Sequence, residues 1–160
     1  MKEKKNKLLK ICIVCSAGGH FSEALRATEK IEHKKYFVTY YNDTIKEFAR
    51  NNKVFFVTHP RHCALIPRLM LFARNCIESA LILLKERPDL IISTGADVAV
   101  ATCIIGKLFR SKLIYIEAGG YVTSKSLSGR IIYPFADLFL VQWEAAKKNF
   151  PNAIYGGPLF

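Results

Sequence analysis

The sequence predicts an α/β domain built on a mostly parallel sheet, and three observations carry that prediction. Short apolar runs recur along all 160 residues, segments of helical period fall between them, and several runs are apolar at consecutive positions. Strands alternating with helices pair in parallel through helical crossovers. A strand apolar on both sides needs helices on both faces of its sheet. No Gly/Ser- or Pro-rich linker interrupts the chain, so residues 1–160 read as one domain, with a basic leader over residues 1–10.

The first strand, Ile11 to Cys15, comes after that leader; the apolar stretch Ile11 to Ala17 is too short for a cleaved signal and runs into Gly18-Gly19-His20. Helix 21–32 comes next, with Phe21, Ala24, Leu25, Thr28 and Ile31 on one face and Glu23, Arg26, Glu29 and Lys30 elsewhere. Strands at Tyr36 to Tyr41 and Val54 to Val57 flank a helix at 44–51. A long helix at 64–86 presents Leu65, Leu69, Phe72, Cys76 and Leu83 as a broad apolar face; core packing is favoured over membrane insertion for most of its length, while its first two turns, with Ile66-Pro67-Arg68-Leu69-Met70 after a basic turn, stay open to lipid contact. Strands at Leu90 to Ser93, Leu113 to Ile116 and Leu138 to Val141 alternate with helices at 98–109, 126–135 and 143–149, and a short strand opens at Ile154.

Lys and Arg total 24 against 13 Asp and Glu, a formal charge of +11 that favours phosphates, nucleic acid or acidic lipid as partners. The basic residues are scattered and no aromatic-basic motif accompanies them, which argues against nucleic acid. No apolar run reaches the roughly 18 residues of a membrane span, so membrane contact is expected to be peripheral. The five cysteines are odd in number and lie mostly in apolar surroundings, as reduced intracellular thiols do. Cys12 and Cys15 fall three apart on a strand, facing opposite sides, and so cannot share a metal.

In an open parallel sheet, ligands bind beyond the carboxyl ends of the strands. The residues just beyond each strand are therefore informative. Ser16-Ala17-Gly18-Gly19-His20 succeeds the first strand, Ser93-Thr94-Gly95-Ala96-Asp97 the fourth and Glu117-Ala118-Gly119-Gly120-Tyr121 the fifth, while the basic Thr58-His59-Pro60-Arg61-His62 succeeds the third. Glycines admit close approach of a ligand to the backbone, and helix N-termini favour anions, so this edge suits a diphosphate. One glycine turn serves sterics as readily as binding; three on one edge, joined by His20 and Glu117, make a site. The first turn supplies neither G-x-G-x-x-G for a dinucleotide nor the Gly-Lys-Ser/Thr of a P-loop.

The blocks Ser16 to Glu23, Ser93-Thr94-Gly95, Tyr115-Ile116-Glu117, Leu127-Ser128-Gly129-Arg130 and Phe139 to Trp143 resemble the membrane-associated subunit of the eukaryotic split UDP-N-acetylglucosamine transferase. They resemble equally its bacterial capsule and exopolysaccharide counterparts of the PssD/CpsF group, nearly end to end. More distantly the chain is similar to the N-terminal half of MurG-type GT-B glycosyltransferases. The resemblance implies a Rossmann-like domain on the acceptor side of a two-subunit enzyme, at the cytoplasmic, inner face of the membrane. It would bind a polyprenyl-diphosphate sugar, while a separate subunit binds the UDP-sugar donor. No cofactor or metal is implied, and no Asp-x-Asp motif occurs. A non-catalytic recruitment module for a catalytic partner is the alternative. The eukaryotic relatives carry a membrane-spanning anchor, for which this sequence offers only its basic leader.

On this resemblance His20 is the candidate base, with helix capping or packing as its other role, and Glu117 binds acceptor hydroxyls or assists proton transfer. Ser16, Gly18, Gly19, Thr94, Gly95, Gly119, Gly120, Arg61 and His62 are the candidate diphosphate ligands. Pro158, Leu159 and Phe160, an apolar segment after two glycines, are the candidate contact with the donor subunit. Trp143 is expected to pack in the core, and Asp97 to cap a helix.

Overall fold

The computed structural model describes residues 8–60 and 64–159. The alternation read from sequence folds into one sheet of seven strands: β1 (Lys10–Cys15), β2 (Lys34–Thr39), β3 (Val54–Phe56), β4 (Leu90–Gly95), β5 (Lys112–Ile116), β6 (Leu138–Val141) and β7 (Ile154–Tyr155). Their order is β3-β2-β1-β4-β5-β6-β7, and every pairing is parallel. The chain winds outward from β1 one way and from β4 the other, so the switch point lies between those two strands. The described residues of the turns singled out in the sequence thereby share one edge.

The side-chain period of two divides β1 between two cores. Cys12 and Val14 join one cluster with Tyr36, Leu83, Val98, Cys103 and Tyr115. Ile11, Ile13 and Cys15 join the other with Phe21, Ala24, Phe37 and Ile45. The two thiols thus lie on opposite faces of the sheet. Burial pushes both up, Cys15 to about 12.

The helices are α1 (Gly19–Thr28), α2 (Asp43–Ala49), α3 (Leu65–Glu86), α4 (Asp97–Leu108) and α5 (Leu127–Ile132). α2 and α5 start at side-chain caps, Asn42 Oδ1 accepting from Ile45 N at 2.7 Å and Ser126 Oγ from Gly129 N at 2.8 Å. α1 stops at Thr28, short of the expected end, where Lys35 Nζ takes the Thr28 carbonyl at 2.8 Å. Beyond α5 the chain tightens to a 3₁₀ turn at Tyr133–Phe135, because Pro134 has no amide to continue the α ladder. The helix expected at 143–149 is likewise a 3₁₀ turn, Glu144–Lys148.

α3 overturns its core-packing expectation. Its buried residues are Asn75, Ser79, Leu83 and Glu86, three of them polar. Asn75 Nδ2 donates to Thr58 O and Val98 O, Ser79 Oγ meets Thr102 Oγ1 at 2.9 Å, and Glu86 pairs with Lys10 and Lys53, each at 2.8 Å. Ile66, Met70, Ile77, Leu81 and Leu84, spaced along one helical stripe, are exposed instead. Leu65, Leu69 and Phe72 are exposed too, and of the residues expected to pack inward only Leu83 is fully buried. No helix among the described residues is long and apolar enough to cross a membrane.

Candidate functional site

A β-bulge organises the site. Val14 pairs with Ser93 but Cys15 pairs with Gly95, so Thr94 is the extra residue at the end of β4. Its carbonyl faces His20, whose Nδ1 lies 2.7 Å away, and its hydroxyl donates to the His20 carbonyl at 2.6 Å. A carbonyl only accepts, so Nδ1 carries the proton of the neutral ring and Nε2 holds the lone pair. Among the described residues Nε2 has no partner. Gly18, at φ 84, sets the entry to α1, and its carbonyl receives the Phe21 and Ser22 amides.

His20 lines a cleft of about 530 Å³. Asp97, Tyr121 and Ser126 supply other polar groups to it, and Leu69, Phe72 and Leu127 much of its apolar wall. His59 also faces the cleft, stacked on Tyr40 with ring centroids 4.5 Å apart, and its Nε2 donates to Asp97 Oδ1 at 3.1 Å. Asp97 Oδ1 accepts the Val98 amide as well, but the capping role expected of it is not made: Ala96 is the N-cap of α4 and Asp97 is its first helical residue. One turn, residues 94–97, therefore seats two histidines. Leu65 and Leu69 carry the cleft wall onto the exposed face of α3.

The glycines divide into two kinds. Nothing approaches a Cβ built at Gly18, Gly19 or Gly120, so each borders open space. Gly95 is structural, since at φ 102 an added Cβ would stand 2.6 Å from Tyr115 Oη. The groups expected to bind ligand at Thr94, Gly95 and Gly119 are used internally: Gly95 N donates to Ser93 Oγ, and Gly119 N to Glu23 Oε1 at 2.8 Å. Ser16 is buried, with Oγ turned to the Ala17 carbonyl. Arg61, His62 and Phe160 lie outside the described residues.

Glu117 sits beneath the cleft and does not line it. It is fully buried; Oε1 accepts the Ser126 amide at 2.9 Å, and Oε2 packs where a side chain on Gly129 would stand. Burial raises the pKa of its carboxyl, and the Glu23 charge adds to the rise while Ser126 and His20 oppose it. Glu23, placed by its period on the outer face of α1, is buried as well. Oε1 of Glu23 accepts from Gly119 N and from Gln142 Nε2, and its Oε2 stands 3.9 Å from His20 Nδ1. Trp143 is not a core residue: its indole Nε1 donates to Gly119 O at 2.6 Å. Sequence reasoning misses Glu23 and Gln142, although they stand within Ser16 to Glu23 and Phe139 to Trp143. A lone glutamine closing the apolar run Leu138 to Val141 was the available signal.

Leu159 is half-buried, its amide donating to Gln142 Oε1 at 2.9 Å and its carbonyl accepting from the Arg26 guanidinium at 3.2 Å, while Pro158 is exposed. Among the described residues no group of three metal-ligating side chains converges.

Two solved structures share this architecture. Acinetobacter baumannii MurG superposes with a TM-score of 0.73 at 11% identity, over 94% of this chain and 46% of its own. UDP-GlcNAc 2-epimerase of Methanocaldococcus jannaschii superposes with a TM-score of 0.67 at 17% identity, over 89% and 42%. This chain spans less than half of each, and at such identity the likeness is one of fold, that of a GT-B half. In sequence the chain is 26% identical over 178 residues to the UDP-N-acetylglucosamine transferase subunit ALG14 of Mus musculus, covering 93% of this chain and 82% of that one. It is 28% identical over 185 residues to the subunit of the same name from Candida albicans, covering 98% and 82%. The family model described as oligosaccharide biosynthesis protein Alg14 like matches residues 11–159, and the chain belongs to that family.

Proposed function

We propose that this chain is the acceptor-side subunit of a two-component glycosyltransferase. It binds a polyprenyl-diphosphate-linked sugar at the cytoplasmic face of a membrane. A donor-binding partner then supplies the UDP-sugar. The reaction serves lipid-linked oligosaccharide or capsule and exopolysaccharide synthesis. The observation that carries this reading is one continuous cleft joining the Nε2 of His20 to the exposed apolar face of α3. Such a cleft suits a ligand polar at one end and lipid at the other.

Among the described residues the Gly19 and His20 amides that open α1 have no backbone partner, no acidic residue stands in its first turn, and Gly18 and Gly19 leave open space there. A diphosphate fits that opening. His20 Nε2 takes the proton from the attacking sugar hydroxyl as its oxygen bonds to the anomeric carbon of the donor. The bond from that carbon to the phosphate oxygen breaks, and UDP leaves with the electron pair. Thr94 holds the imidazole in the tautomer this step needs. The exposed stripe of α3, with Arg68, Arg74 and Lys85 on the same helix, gives a peripheral attachment to anionic lipid.

The test is reconstitution with a donor-binding subunit on vesicles carrying a polyprenyl-diphosphate sugar. Transfer is expected from the pair and not from this chain alone. Robust turnover by the single chain overturns the two-component reading.

A further inference from the structure

We infer that Gln142 and Glu23 are positioning residues of the cleft: they make the seating of Leu159 and the setting of the loop at residues 119–126 a single event. That loop brings Tyr121 and Ser126 to the cleft. A buried carboxyl pins each of its ends, Glu23 at the Gly119 amide and Glu117 at the Ser126 amide. Trp143 Nε1 holds the Gly119 carbonyl from the other side.

Gln142 joins these clamps to the segment after β7. Its Nε2 donates to Glu23 Oε1 at 3.0 Å and to the Glu117 carbonyl at 3.1 Å, and its Oε1 accepts the Leu159 amide at 2.9 Å. Glu23 and Gln142 are only 3% and 2% exposed, so no bulk water replaces a lost partner. Among the described residues the second carboxylate oxygens of Glu23 and Glu117 are buried without a hydrogen bond. The cluster is therefore short of donors. Losing the Leu159 amide releases the glutamine carbonyl, the whole amide reorients, and Glu23 loses one of its two donors. The Gly119 end of the loop then loosens.

The experiment uses two substitutions at one position. Leu159→Pro removes the amide donor, whereas Leu159→Ala keeps it and removes side-chain packing. Amide hydrogen exchange at Gly119 is monitored beside the indole resonance of Trp143, the single tryptophan of the chain. Leu159→Pro is expected to speed Gly119 exchange about tenfold and to shift the indole signal, with the core amide of Ile13 unchanged. Leu159→Ala is expected to stay within about twofold of the parent. Parent-like exchange in Leu159→Pro overturns the relay, and so does equal acceleration in both variants, which would make packing the cause. Gln142→Met should reproduce Leu159→Pro, and the two combined should add nothing further. Additive effects of the two changes also overturn it.

For transfer, the consequence is a raised acceptor KM in Leu159→Pro with kcat largely kept, which rests on the acceptor reading of the cleft. The exchange rates do not. Failure of the parent complex to transfer sugar removes the proposed function and leaves the relay standing.

Discussion

His20 and Thr94 are tied twice, imidazole Nδ1 to carbonyl at 2.7 Å and hydroxyl to carbonyl at 2.6 Å, across 74 positions of sequence. Both bonds exist because the bulge in β4 frees Thr94 from the ladder. The imidazole is consequently fixed in ring orientation and tautomer before any ligand arrives.

His20→Gln should lower turnover of the reconstituted pair by about 10²–10⁴-fold, the usual worth of a general base. Assembly with the partner, read by pull-down, should be unaffected, because the ring faces the cleft. A non-catalytic recruitment module would keep its turnover. Thr94→Val, which removes only the hydroxyl tie, should lower kcat by about tenfold or less.

Two glycine substitutions separate structure from binding. At Gly19 the backbone needs no positive φ and a Cβ meets nothing, so Gly19→Val should change helix stability by about 0.5 kcal/mol or less. It should nevertheless abolish binding of a short-chain lipid-diphosphate sugar by filling the opening at the α1 amides. Gly95→Ala should do the reverse, destabilising by about 1–3 kcal/mol through its φ of 102 and its contact with Tyr115. Calorimetric melting beside ligand titration reads both. Unchanged affinity in Gly19→Val would make that turn merely a turn.

The parallel sheet and the shared edge of its glycine turns were legible because both rest on local pattern. Runs such as Leu90 to Ser93 announce buried strands, and glycine turns announce where they end. The interior polar groups were not legible. The 3.6 period assigns Glu23 to the wet face of α1, and only the Gly119 amide and Gln142, 96 and 119 positions away, bring it inside. The same blindness affected α3. Periodicity finds an apolar stripe without saying which medium it meets, and nothing local in sequence marks Asn75 and Ser79 as the buried face, which is set by their distant partners Thr58, Val98 and Thr102.

The raised pKa of Glu117 predicts a pH dependence with a definite sign. In the window between the ordinary carboxylate value of 4.5 and its raised value, the folded chain binds more protons than the unfolded one. Stability from this group is therefore present at acid pH and lost as pH rises through that window. Glu117→Gln removes the titration, so the melting temperature of the variant should gain on the parent as pH rises from about 4 to 8. A constant difference across that range would mean that Glu117 titrates normally in the fold. Turnover should fall at the same time, because the amide holds Ser126 less firmly than the carboxylate does.

The inverted polarity of α3 gives the sharpest test of membrane attachment, because its two faces should respond oppositely. Met70 and Ile77 are 69% and 62% exposed, so Met70→Glu with Ile77→Glu should change stability by about 0.5 kcal/mol or less. Flotation with anionic vesicles should fall at least about tenfold, since each residue forfeits apolar burial in lipid and adds charge repelled by the surface. The remaining attraction, through Arg68, Arg74 and Lys85, should weaken further in high salt. Asn75→Leu works from the other side. It leaves the Thr58 and Val98 carbonyls without their donor in a dry interface and should cost about 1–3 kcal/mol, with vesicle binding by the folded fraction intact. Were the stripe a cover for some protein surface instead, the glutamate pair would leave flotation unchanged, and extraction that required detergent would contradict peripheral attachment.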